Sequence, residues 1–135
     1  MWGAAADDVW AVGDGGTLAH YDGATWSAVA SPTTQPLNAV WGSGPGDVWV
    51  AGYAKLHYDG ATWAVVGPPS PIEFAVWGTG ANDVYSAGIE GVAHWNGAAW
   101  TKQAIGTSNI LFGLAGGGSD VWTVGQGVTV LRHGP

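Results

Sequence analysis

Apolar residues along this chain fall in short runs or at alternate positions, and nowhere keep helical spacing for the length of a helix. Residues 38–41 and 74–77 are apolar runs that predict one strand, A, of a recurring unit. Residues 48–51 and 84–87, each entered after an Asp, predict a second, B. Alternation through Thr17, Leu18, Ala19, His20 and Tyr21 predicts a third, C. The pairs Asp22-Gly23, Asp59-Gly60 and Asn96-Gly97 follow it, and Asx-Gly between strands is a strong signal for a tight hairpin. The stretch 62–66 then predicts a fourth strand, D, and Ser31-Pro32 and the Pro-rich run 67–71 end the unit. The expected class is all-β.

The pattern is also periodic. WGAAADDVWAVG at 2–13 returns as WGSGPGDVWVAG at 41–52 and WGTGANDVYSAG at 77–88, while LAGGGSDVWTVG at 114–125 keeps the frame with Leu114 at the leading Trp. A second phrase recurs as AHYDGATW, LHYDGATW and AHWNGAAW, ending at 26, 63 and 100. The repeated Asp8, Asp47, Asp83 and Asp120 are 39, 36 and 37 residues apart. Four-stranded units of about 40 residues in tandem predict a β-propeller, because one small sheet cannot bury its faces alone and must pack on the next. Trp10, Trp49, Tyr85 and Trp122 share one repeat position and are expected to pack between blades. The whole chain, 1–135, reads as one repeat domain: a partial blade over 1–31, blades over 36–67 and 72–105, and a partial blade over 109–135.

On these residues, WGSGPGDVWVAG followed by LHYDGATW resembles the tandem propeller repeats of bacterial, notably myxobacterial, surface and secreted proteins. The D-G-A-T-W turns resemble the Asp-box of sialidase-like propellers, one residue shorter between Asp and Gly. The resemblance implies a propeller fold in a secreted or cell-surface bacterial protein. It implies no activity, since such folds host unrelated functions. Sialidase chemistry draws on a cluster of arginines, and Arg132 is the single Arg here.

Written out, the strands run B-C-D, A-B-C-D, A-B-C-D, A-B-C, with Trp2-Gly3 as the stub of a first A strand. About three and a half blades leave a ring open, with raw edges that invite pairing. A homodimer with eight blade positions is the expected closure, since a two-fold along the ring axis needs an even blade number. A four-bladed monomer is the alternative, and a fragment of a longer propeller without activity of its own is a third reading.

Charge narrows the partners. Three basic and ten acidic residues give a formal charge of −7, which cannot neutralise a nucleic-acid backbone and suits an anionic membrane poorly. No apolar run reaches the roughly 18–20 residues of a spanning helix, so no membrane insertion is expected. Nor does a basic start precede an apolar core, so no signal peptide is expected within the chain. Absence of Cys excludes disulfides and thiolate chemistry.

Three candidate sets remain. His20, His57 and His94 share a repeat position, with Arg132 at the fourth, and imidazoles suggest zinc or another transition metal; the other divalent candidate, calcium, would need more oxygen ligands than the adjacent pair Asp7-Asp8 gathers. Equivalent residues on neighbouring blades stand on the order of 10 Å apart at that radius, so the expectation is that each His packs against a neighbouring blade and hydrogen-bonds a turn. The repeated Asp residues are expected to build turns. The third set lies where the copies disagree. B–C loops contribute Asp14, Tyr53, Lys55, Glu90 and Gln126, and strand A adds Asn38 and Glu73. Around one channel mouth these could hold a polar ligand or a cation. Two readings follow: a self-assembling binding or scaffold module with carbohydrate as ligand class, or a metal-dependent ester, lactone or phosphotriester hydrolase. No catalytic motif stands in the chain to decide for the second.

Overall fold

The computed structural model describes residues 1–67, 71–117 and 119–133. Its elements are fifteen strands and two short 3-10 turns, at Asp14–Gly16 and Gln126–Val128. The first sheet is β1 (Trp2–Ala5), β2 (Asp8–Val12), β3 (Leu18–Tyr21) and β4 (Trp26–Val29). The second is β5 (Leu37–Gly44), β6 (Asp47–Gly52), β7 (Leu56–Tyr58) and β8 (Trp63–Val65). Next come β9 (Glu73–Gly80), β10 (Asp83–Gly88), β11 (Gly91–Trp95) and β12 (Trp100–Gln103). The last has three strands, β13 (Leu111–Gly117), β14 (Asp120–Gly125) and β15 (Thr129–His133). Within each sheet the strands are antiparallel and ordered as in the chain, so each repeat is one blade. The chain is all-β with propeller-type blades.

Two details differ from the expected strands. Trp2 is no stub: β1 pairs with β2 through Trp2↔Trp10 and Gly3↔Val9, completing a four-stranded first blade. In the last blade the leading position slips. Trp41 faces Trp49 and Trp77 faces Tyr85, but Ala115, not Leu114, faces Trp122. The irregularity that follows the leading Trp–Gly in the other three sheets is missing here, so one fewer residue is needed and Leu114 turns to the other face.

Blades stack through the A strands, β1 on β5, β5 on β9 and β9 on β13, with no comparably extensive packing from the fourth blade back to the first among the described residues. The molecule is therefore an open arc. Glycine permits the close approach: a Cβ at Gly42, Gly78 or Gly116 would collide with Trp2, Trp41 or Trp77 of the preceding blade. Blade-to-blade packing then obeys one rule. Trp10 of β2 is covered by Tyr58 and Trp63 of the second blade, with ring centroids 5.2 and 5.0 Å away. Trp49 of β6 is covered by Trp95 and Trp100 of the third blade, at 5.1 and 5.4 Å. The two are 4% and 2% exposed, whereas Trp122, at the arc's far end, is 44% exposed. At the near end Tyr21 and Trp26 pack on each other, and Trp26 is 48% exposed.

The hairpins behave as the Asx-Gly pairs predict. Asp22 and Asp59 accept backbone N–H bonds at 2.8–2.9 Å from the two residues beyond Gly, and Asn96 does the same at 2.9–3.0 Å. Gly23, Gly60 and Gly97 take φ of 93 to 95°, which favours glycine. The backbone bonds hold the Asp22 and Asp59 carboxyls below their ordinary value of 3.8. A carboxyl lowered on folding stabilises the fold above its unfolded pKa and loses that contribution as pH falls through the folded value. Thermal melts should therefore drop below about pH 4. The drop should be smaller in Asp22→Asn/Asp59→Asn, which copies the third repeat; an identical drop in both proteins would contradict the assignment.

Candidate functional site

Among the sequence candidates, the repeated Asp and His form pairs within each blade. His20, His57 and His94 bond through Nε2 to Asp8, Asp47 and Asp83, at 2.6, 2.6 and 2.7 Å. Cross-strand register makes the pair: His20 faces Trp10, and Asp8 lies two residues before Trp10 on the same face of β2. Each ring also lies on the aromatic residue it faces, Trp10, Trp49 or Tyr85, at 4.5, 4.2 and 4.4 Å. In the last blade Arg132 takes the His place and binds Asp120 at 2.7 Å. Ser43 and Thr79 donate to the second oxygens of Asp47 and Asp83. Burial alone would raise the Asp83 carboxyl, but the Thr79 and His94 bonds outweigh it and hold the group below 3.8. The structure thus joins His to Asp in each of three blades. Among the described residues, no group of three or more His, Asp or Glu is placed to hold a metal ion.

The variable loop residues separate. Asp14 and Gln126 are exposed, and their backbone carbonyls cap the two 3-10 turns by accepting from Thr17 and Thr129. Tyr53 is exposed at the β6–β7 turn. Asn38 donates from Nδ2 to the Glu73 carbonyl at 2.7 Å, tying β5 to β9. Lys55, Glu73 and Glu90 converge on one cavity of about 280 Å³ between the second and third blades, together with Ile72, Trp100 and Lys102.

Two of the lining residues form a buried ion pair. Lys55 Nζ is 3.1 Å from Glu73 Oε1, and both residues are 7% exposed. The ammonium also lies 3.6 Å from the centroid of the Trp100 ring, a cation–π contact. Ser86, fully buried on β10, donates to the same Glu73 oxygen at 2.7 Å. Glu73 Oε2 is buried with no hydrogen-bond partner. Among the described residues the other such side-chain atoms are indole nitrogens of Trp10, Trp49, Trp63 and Trp100, which recur at matching repeat positions. At the rim, Glu90 and Lys102 stand 3.8 Å apart and exposed.

This ion pair breaks the repeat. Register aligns Lys55 with Leu18 and Val92, and Glu73 with Leu37 and Leu111. Leu18 and Leu37 share the buried cluster between blades one and two, and Val92 and Leu111 share that between blades three and four. At the middle boundary alone, the same cross-blade position holds opposite charges. The sequence puts Lys55 in a B–C loop and Glu73 on strand A near one channel mouth, and does not reveal that they are core residues facing each other. The available signal was the position two before each His, which reads Leu18, Lys55, Val92.

No protein-family model and no curated protein matches the chain. Among solved structures it is similar to the β-propeller YCF48 bound to D1 peptide, with a TM-score of 0.65 and 20% sequence identity. The alignment covers 98% of this chain and 52% of that one, so the chain spans about half the length of that propeller. At this identity the likeness is one of fold, and what the chain adopts is the blade architecture of a β-propeller.

Proposed function

We propose that the chain is a binding and scaffold module that closes a propeller ring with a second copy of itself. One observation carries this reading: the two ends of the arc present the two halves of its own blade-to-blade contact. Trp122 occupies the position of Trp10 and Trp49 but lies exposed, and Tyr21 with Trp26 occupies the position of the Tyr58–Trp63 and Trp95–Trp100 covers. Two arcs joined head to tail would bury both ends and give eight blade positions. The length of YCF48, nearly twice the span of this arc, supports a ring of that order. Such a ring presents blade clefts and a channel mouth for ligands, with Asp14, Asn38, Tyr53, Glu90 and Gln126 around the blade connections. Carbohydrate is the ligand class we favour, because an acidic surface rich in Trp and poor in Lys suits sugar hydroxyls and ring faces.

Sedimentation velocity tests the closure. The unmodified chain should sediment as two copies, and Trp122→Asp or Trp26→Asp should each give one, because a charge at either half spoils both junctions of the two-fold ring. A single-copy species for the unmodified chain, or two copies unaffected by both substitutions, would overturn the reading.

A further inference from the structure

We propose that the cleft between the second and third blades binds a neutral polyhydroxy ligand of monosaccharide size, through adjacent hydroxyls held by Glu73 and Lys55. The inference deepens the binding-module reading and rests on it, yet every residue it uses belongs to one chain, so it stands apart from ring closure.

Two independent observations point to a ligand. Glu73 Oε2 is a buried acceptor without a donor, on a residue that lines the cavity. Its presence, with Lys55, at positions that are Leu or Val at the other two boundaries shows that packing does not require charge there. A buried ion pair adds little stability over well-packed apolar residues, which leaves a binding role open to it.

Charge and size select the ligand. Lys55 with Glu73, and Glu90 with Lys102, leave the cleft without net charge. A cation or an anion would bring uncompensated charge against walls that include Val66, Ile72 and Val92, whereas a neutral ligand would not. Glu73 Oε2 needs an O–H or N–H donor. Lys55 Nζ carries three donors, and Glu73 Oε1 takes one of them. Adjacent hydroxyls meet both demands once a turn of the Glu73 carboxylate brings Oε2, buried in the free chain, to the cavity: one then donates to Oε2 while its neighbour accepts from Nζ. The ligand's C–H face then lies against the apolar wall. A cavity of about 280 Å³ holds one sugar ring.

The test uses the chain labelled with 15N and the indole N–H resonances of its Trp side chains. D-Glucose, D-galactose and D-mannose are each added to about 10 mM, tenfold above the ~1 mM Kd expected of so small a ligand. At least one sugar should shift the Trp100 indole signal and leave that of Trp26 unmoved. Lys55→Val/Glu73→Leu and the volume-conserving Glu73→Gln should each weaken that binding tenfold or more. Silence of Trp100 toward all three sugars, or shifts that persist unchanged in both variants, would overturn the proposal. So would a response to L-lysine or acetate in place of the sugars. A two-copy ring that ignores sugars would sink this inference and leave the assembly reading intact.

Discussion

Glu73→Leu should destabilise the chain by roughly 3–5 kcal/mol, while Lys55→Val together with Glu73→Leu should cost nothing or add about 1–4 kcal/mol. The single change leaves the Lys55 ammonium buried without its carboxylate, at a position only 7% exposed. The double change installs the residue types found at the equivalent boundary positions, Val92 against Leu111. Burial already holds the Lys55 amine below its ordinary 10.5, and the Glu73 charge opposes that shift. Removing Glu73 should push the amine lower still. Between its folded pKa and 10.5 the unfolded chain binds more protons, so stability should rise with pH across that window, more steeply in Glu73→Leu. Urea unfolding of the four proteins, wild type, two singles and the double, reads the coupling directly. Equal losses in Glu73→Leu and the double variant would mean that the pair supports the fold rather than a site.

The second large effect separates two residues of the same repeat position. Trp49→Ala should cost about 3–5 kcal/mol, since it removes a fully packed indole from between Trp95, Trp100 and His57. Trp122→Ala should stay within about 0.5 kcal/mol in a single arc, because the indole there is half in solvent. In a closed ring Trp122 gains the cover that Trp49 has, and the cost should approach that of Trp49→Ala and vary with protein concentration. Denaturant midpoints measured across a hundredfold range of concentration check this. A Trp122→Ala cost that is small at every concentration would place the residue outside any junction.

How much of this was legible beforehand differs by level. Blades were readable because the repeat restates its hairpins in full: Asp22-Gly23, Asp59-Gly60 and Asn96-Gly97 each build the same turn. Pairings were less so. Asp8 and His20 both stood out as repeated residues, yet Asp8 was expected to bond its own backbone and His20 a turn left unnamed, which hid their mutual bond; it arises from register between β2 and β3. The slip that puts Ala115 opposite Trp122 was invisible, because a frame counted in residues cannot show a missing bulge. Lys55 was singled out as a variable loop residue and Glu73 as a strand A residue near the same channel mouth. Their contact spans two blades and 18 residues of sequence, and only the stacking of β5 on β9 brings them together.

Native mass spectrometry of the unmodified chain tests the central claim, that the arc's ends complete each other. Closure consumes both end faces, so the spectra should show a two-chain species and nothing longer as concentration rises. A single chain throughout, or a ladder of three, four and more copies, would contradict it.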